Sequence, residues 1–113
     1  MHYLKIATAK NGEPYVLLMR EERLGLTVSS ITVAWSETYR SISGAKNLVR
    51  IIKEAGTFRW RVGTSNAGSH LVLKARNNRT LMSGVVMHPD RVEAWRGNMA
   101  FIGWAGIEVR DER

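Results

Sequence analysis

The chain has no cysteine, which excludes disulfide staples and thiolate metal sites and fits a reducing compartment. It has two prolines and no Ser- or Gly-rich tract, so no linker is visible along its 113 residues. No apolar run approaches the length of a bilayer span, and the opening Met1-His2-Tyr3-Leu4-Lys5-Ile6 lacks the apolar stretch of a signal peptide. These absences predict a cytoplasmic protein without membrane contact. Acidic residues are scarce as well. Ten Asp and Glu stand against 17 Lys and Arg, a net charge of +7 with an isoelectric point near 10.4. A protein this basic cannot imitate DNA. It attracts polyanions instead: nucleic acid (DNA or RNA) or an acidic protein surface.

Catalytic signatures are missing too. His2, His70 and His88 lie far apart, and none stands at helical metal-ligand spacing from another His or a carboxylate. His88 beside Pro89-Asp90 reads as punctuation at a helix start. The acidic pairs Glu21-Glu22 and Asp111-Glu112 fall in a loop and the tail, where carboxylates are solvated rather than held in a cleft. No phosphate-binding glycine loop or nucleophile elbow is present. The expectation is a non-enzymatic protein with no catalytic residue, no cofactor and no metal.

What is present reads as one globular domain, with 44% hydrophobic and 24% charged residues, and one long enough to bury roughly two-thirds of its unfolded surface. Self-comparison gives it an internal order. Lys5–Arg20 placed over Arg61–Arg76 aligns Thr8 with Thr64, Gly12 with Gly68, Val16 with Val72, Leu17 with Leu73 and Arg20 with Arg76 without a gap. Both segments alternate as strands do, around the turns Lys10-Asn11-Gly12 and Asn66-Ala67-Gly68. Each half therefore opens with a predicted β-hairpin. A connection from Glu21 to about Ser30 precedes a third strand, Ile31–Trp35, while its counterpart in the second half, Thr80-Leu81-Met82, follows almost at once.

Ile42, Ala45, Leu48, Val49 and Ile52 recur at helical spacing, with Ser41 or Ser43 to cap the start and Gly56 to stop the helix. Val92, Trp95, Met99 and Ile102 form a corresponding stripe after His88-Pro89-Asp90, ended by Gly106. Phe58–Val62 and the pattern from Ile107 to Arg110 follow as strands. The predicted fold is α+β: two tandem β-β-β-α-β units, about 1–57 and 58–113, sharing one antiparallel sheet with two helices packed on one face.

The run Ser36-Glu37-Thr38-Tyr39-Arg40-Ser41, with Ala45, Leu48 and Ile51-Ile52 after it, resembles the pattern of the YegP-like proteins, a bacterial family of unassigned function. The resemblance implies a tandem repeat of three strands, a helix and a strand, paired into a single sheet with terminal strands exchanged between units. The motif is clear only in the first half. The second keeps Ser83 but has no matching Tyr, and the family's Asn-Gly after the second strand is Asn77-Asn78 here. The resemblance implies no catalytic residue.

Strand alternation points Leu4, Ile6, Leu17, Trp60, Val62, Leu71 and Leu73 toward the helices. It leaves Tyr3, Lys5, Arg20, Arg59, Arg61, Lys74 and Arg76 on the opposite face, with Arg79 just beyond and Leu18 interleaved. Cations on one flat face attract phosphates, and an exposed aromatic among them can stack on a base. The favoured expectation is sequence-independent nucleic-acid binding through this face. The bland alternative is an ordinary solvated sheet, and Arg40, Lys46, Arg50 and Lys53 on the first helix make the basicity more general. A second functional reading is a protein–protein interaction module, such as a small inhibitor or regulator from a phage or mobile element, using Arg23, Leu24, Leu26 and Trp35 around the Glu21–Ser30 loop. A homodimer formed by exchanged terminal strands is compatible with either.

Overall fold

A computed structural model describes residues 1–66, 68–84, 99 and 102–113. Strand β1 (His2–Thr8) turns through Lys10-Asn11-Gly12 into β2 (Pro14–Leu24), which pairs with β3 (Thr27–Ser36). Helix α1 (Ile42–Ala55) follows, then β4 (Trp60–Ser65), β5 (Gly68–Lys74) and β6 (Thr80–Gly84). A 3-10 turn at Trp104–Gly106 leads into β7 (Glu108–Asp111). All seven strands join one sheet in the order β4-β5-β6-β3-β2-β1-β7.

This arrangement corrects the expected architecture. The sheet is mixed rather than antiparallel, because β7 runs parallel to β1, with Lys5 opposite Arg110. The strands make a single continuous sheet with one α-helix among the described residues, not two tandem units with two helices. The second helix predicted from Val92 onward falls mostly on residues 85–98, 100 and 101, outside the described residues, while the predicted stop at Gly106 is the end of the 3-10 turn. The Glu21–Ser30 segment is no loop either. Leu24 pairs with Thr27 across Gly25 (φ 63°), so β2 and β3 continue as a hairpin almost to its tip. Strand β4 begins at Trp60, with Phe58 and Arg59 still in the turn before it.

Helix α1 forms where its apolar spacing predicts. Ala45, Leu48, Val49 and Ile52 are its buried residues, and the Gly56 N–H donates to Ile52 O at 3.2 Å to close the end. Ser41 occupies the N-cap position, but its hydroxyl hydrogen-bonds to that of Ser43 (2.8 Å) rather than capping the backbone. The stripe packs on Leu4, Ile6, Val16, Leu18, Trp60, Leu71, Leu73 and Met82, and Met99, Trp104 and Ile107 close the same core. The Trp60 and Trp104 rings stack at 5.8 Å, and Trp104 Nε1–H donates to Thr57 Oγ1 (2.9 Å), tying the C-terminal segment to the α1–β4 turn.

The parity expected for β2 is reversed. Val16 and Leu18 face α1, opposite Ile6 and Leu4, whereas Leu17 lies on the other side with Tyr3 and Met19. Four consecutive apolar residues, Val16-Leu17-Leu18-Met19, give no alternation by which to choose a face, so only pairing with β1 decides it.

Candidate nucleic-acid interface

The register of the sheet defines the face away from α1. Directly opposed partners share a face, so the pairs Arg61–Val72, Val72–Ser83, Ser83–Trp35, Trp35–Leu17, Leu17–Lys5 and Lys5–Arg110 form one row across all seven strands. Cationic residues stand at both ends of this row. Trp35 stands in the middle with half its surface open to solvent.

The two ends differ in charge. At the β1–β7 end every cation is matched. Lys5 Nζ lies 3.3 Å from Glu112, and Arg110 bonds both Glu21 (2.8 Å) and Glu108 (2.9 Å). The hydrogen bond from Arg110 holds the Glu108 carboxyl below the usual carboxylate range, and those to Glu108 and then Glu21 make Arg110 hold its proton more tightly. The Arg110 guanidinium also sits 3.8 Å over the Tyr3 ring, and the Tyr3 hydroxyl donates to Ser30 Oγ (3.1 Å). Only 4% of Tyr3 is exposed, so the aromatic expected to stack on a base is already covered.

At the β4–β5 end the cations are unmatched. Lys74 N donates to Arg59 O (3.1 Å), extending the ladder so that Arg59 stands opposite Lys74. A shallow depression here is lined by Arg59, Arg61, Lys74, Ala75, Arg76 and Asn78. The turn that shapes it carries Asn78 at φ 66°, a conformation Asn tolerates better than most residues. Arg61 is held by the carbonyls of Phe58 and Trp60, the latter at 3.0 Å, and Lys74 Nζ donates to Thr80 Oγ1 at 2.8 Å. Among the described residues no carboxylate pairs with Arg59, Arg61, Lys74 or Arg76. Arg59 and Arg76 also line a second depression, with Arg50 and Glu54 of α1, whose own charges pair at 3.1 Å.

Four of the predicted cations are thus brought together, and the others are not. Lys5 is on the same face but four strands from β5, or about 19 Å at the usual strand spacing. Arg20, opposite His2 and two residues from Leu18, is on the α1 side, beside Glu22 at 2.6 Å. Arg79 lies past the turn, paired with Glu37 at 2.6 Å. Of the residues assigned to protein binding, Arg23, Leu24 and Leu26 are exposed near the hairpin tip, well away from Trp35 at the base of β3. The place of Trp35 in the row with Arg61 was missed because it depends on β3 meeting β6, a pairing that no local pattern announces.

Two solved structures share this arrangement. A UPF0339 protein from Shewanella oneidensis, determined by NMR in solution, superposes with a TM-score of 0.74 at 15% identity, over 97% of this chain and 90% of the other. YegP from E. coli, a protein of unknown function, gives a TM-score of 0.74 at 16% identity, over 98% of this chain and 92% of that one. The likeness is one of fold. It supports a YegP-like fold, as the Ser36–Ser41 motif suggested, but not the tandem repeat expected with it, and it carries no function with it. No protein-family model and no curated protein matches the chain. Among the described residues no helix is long and apolar enough to cross a membrane, and no three His, Cys, Asp or Glu residues are placed to hold a metal ion.

Proposed function

We propose that the chain is a non-enzymatic, sequence-independent nucleic-acid-binding protein whose phosphate contacts are made at the β4–β5 end of the face away from α1. The observation that carries this reading is the convergence of Arg59, Arg61, Lys74 and Arg76 around one depression with no carboxylate partner among the described residues. Like charges on neighbouring strands repel, and elsewhere on the sheet this chain relieves that repulsion with Glu21, Glu108 and Glu112. Where no acid is supplied, phosphate is the natural counterion.

A salt titration of binding to a labelled oligonucleotide tests the reading. Affinity should fall linearly in log salt, and Arg59→Glu with Arg61→Glu should remove binding at physiological ionic strength. Arg61 is bonded to backbone, so thermal unfolding must show the double variant folded. Arg76→Glu, whose side chain makes no hydrogen bond or ion pair among the described residues, provides a second variant that cannot act through lost contacts. Undiminished binding in both variants would place the phosphates elsewhere.

A further inference from the structure

We infer that the preferred ligand is a single-stranded polynucleotide, DNA or RNA, with a base stacked on Trp35 and its backbone running toward Lys74 and Arg61. This inference rests on the nucleic-acid reading above and adds the substrate class. Three observations carry it. Trp35 is the one large aromatic in the row that crosses the face, and it is half exposed at the centre of the sheet rather than at a rim. The depression beside it is lined by Trp35, Glu37, Thr80 and Ser83, and Thr80 Oγ1 accepts the hydrogen bond from Lys74 Nζ. Lys74 in turn lines the cationic depression with Arg59 and Arg61. Trp35 and the cations therefore border one track, from β3 across β6 and β5 to β4, about 14 Å long at the usual strand spacing.

The chemistry of the track selects between strands and duplexes. A duplex keeps its base faces inside the stack, so an indole lying on an open sheet reaches only its backbone. A single strand offers every base face, and stacking tolerates any sequence because each base has a π surface. Glu37 does not reverse the sign of the track, since Arg79 holds it at 2.6 Å. Ser83 and Thr80 add hydroxyls that can bond sugar or phosphate oxygens.

The test compares four probes on the folded protein: oligo-dT, oligo-U, a generic DNA duplex and inorganic polyphosphate, a polyanion without bases. The wild type should bind the two single strands more tightly than duplex or polyphosphate. Trp35→Ala should weaken single-strand binding about tenfold while leaving duplex and polyphosphate binding unchanged, and Trp35→Phe should recover part of the loss. The difference between oligo-dT and oligo-U then says which sugar the track prefers. Trp35→Ala binding oligo-dT as tightly as wild type, or a wild type that does not discriminate among the probes, overturns the stacking inference and leaves the cationic site standing. Failure of every probe to bind at low salt overturns the nucleic-acid reading itself.

Discussion

A single hydroxyl, that of Ser36, joins two strands at the foot of α1. Its oxygen accepts the Val16 N–H at 2.9 Å and its proton goes to Glu37 O at 2.8 Å. Three residues on, Tyr39 N donates to Pro14 O (2.8 Å), and the half-buried Tyr39 ring lies against Gly44 in the first turns of the helix. A Cβ on Gly44 would sit 2.9 Å from Tyr39 Cδ1 and 3.0 Å from its Cβ. The second of these atoms is held by the backbone and cannot swing away. Gly44→Ala gains about 1 kcal/mol of helix propensity, but overpacking of this kind costs about 1–3 kcal/mol. The net expected is a destabilisation of about 1 kcal/mol, which lowers the thermal midpoint by about 4 °C. A midpoint at or above wild type would show that the ring moves aside freely. The motif from Ser36 to Tyr39 was legible in the sequence, and these contacts show why it speaks of fold: its polar atoms are spent on the β2–β3–α1 corner. Leu17 and Leu18 were not legible at the same scale, because in an apolar run the choice of face belongs to the neighbouring strand.

At the scale of elements, the β2–β3 hairpin outruns the sheet that holds it. Among the described residues, β1 pairs with β2 as far as Arg20, with Met1 and Glu21 bonded just beyond (2.8 Å), and β6 pairs with β3 only from Ala34 to Ser36. Among the described residues, Glu22–Leu24 and Thr27–Ser29 consequently pair with each other and with no further strand, and Leu24, Leu26 and Val28 are exposed. This explains why the sequence suggested a loop. With neither face buried there is no pressure toward alternation, and Arg20-Glu21-Glu22-Arg23 followed by Thr27-Val28-Ser29-Ser30 shows none. A two-stranded ribbon is marginal on its own in water. In native-state hydrogen exchange the amides of Arg23 and Val28 should therefore exchange with protection of only about tenfold or less, while those of Leu18 and Leu73 in the core strands should open only with global unfolding. Equal protection along β2 would mean that something outside the described residues braces the hairpin.

For the molecule as a whole, the composition announced a charge of +7 without its distribution. The distribution follows from one long-range pairing. Strand β7 returns to lie parallel to β1 and brings Glu108, Asp111 and Glu112 to that end of the sheet, where Lys5 and Arg110 are neutralised. A parallel partner needs a long crossover between the two strands, and the tail's short run of Glu-Val-Arg-Asp gave no sign of which strand it would join. Two substitutions separate location from total charge, because Lys5→Gln and Lys74→Gln each lower the formal +7 by one. If affinity came from general basicity, both would weaken oligonucleotide binding equally. The geometry favours an unequal result. Lys74 borders the cationic depression, and the only polar partner of its Nζ among the described residues is the Thr80 hydroxyl, whereas Lys5 already faces Glu112. Lys74→Gln should reduce affinity about fourfold at physiological salt and flatten the log–log salt slope by about 0.7–0.9, the loss of one phosphate contact. Lys5→Gln should leave both quantities within error. Equal losses in the two variants would return the basic face to ordinary surface.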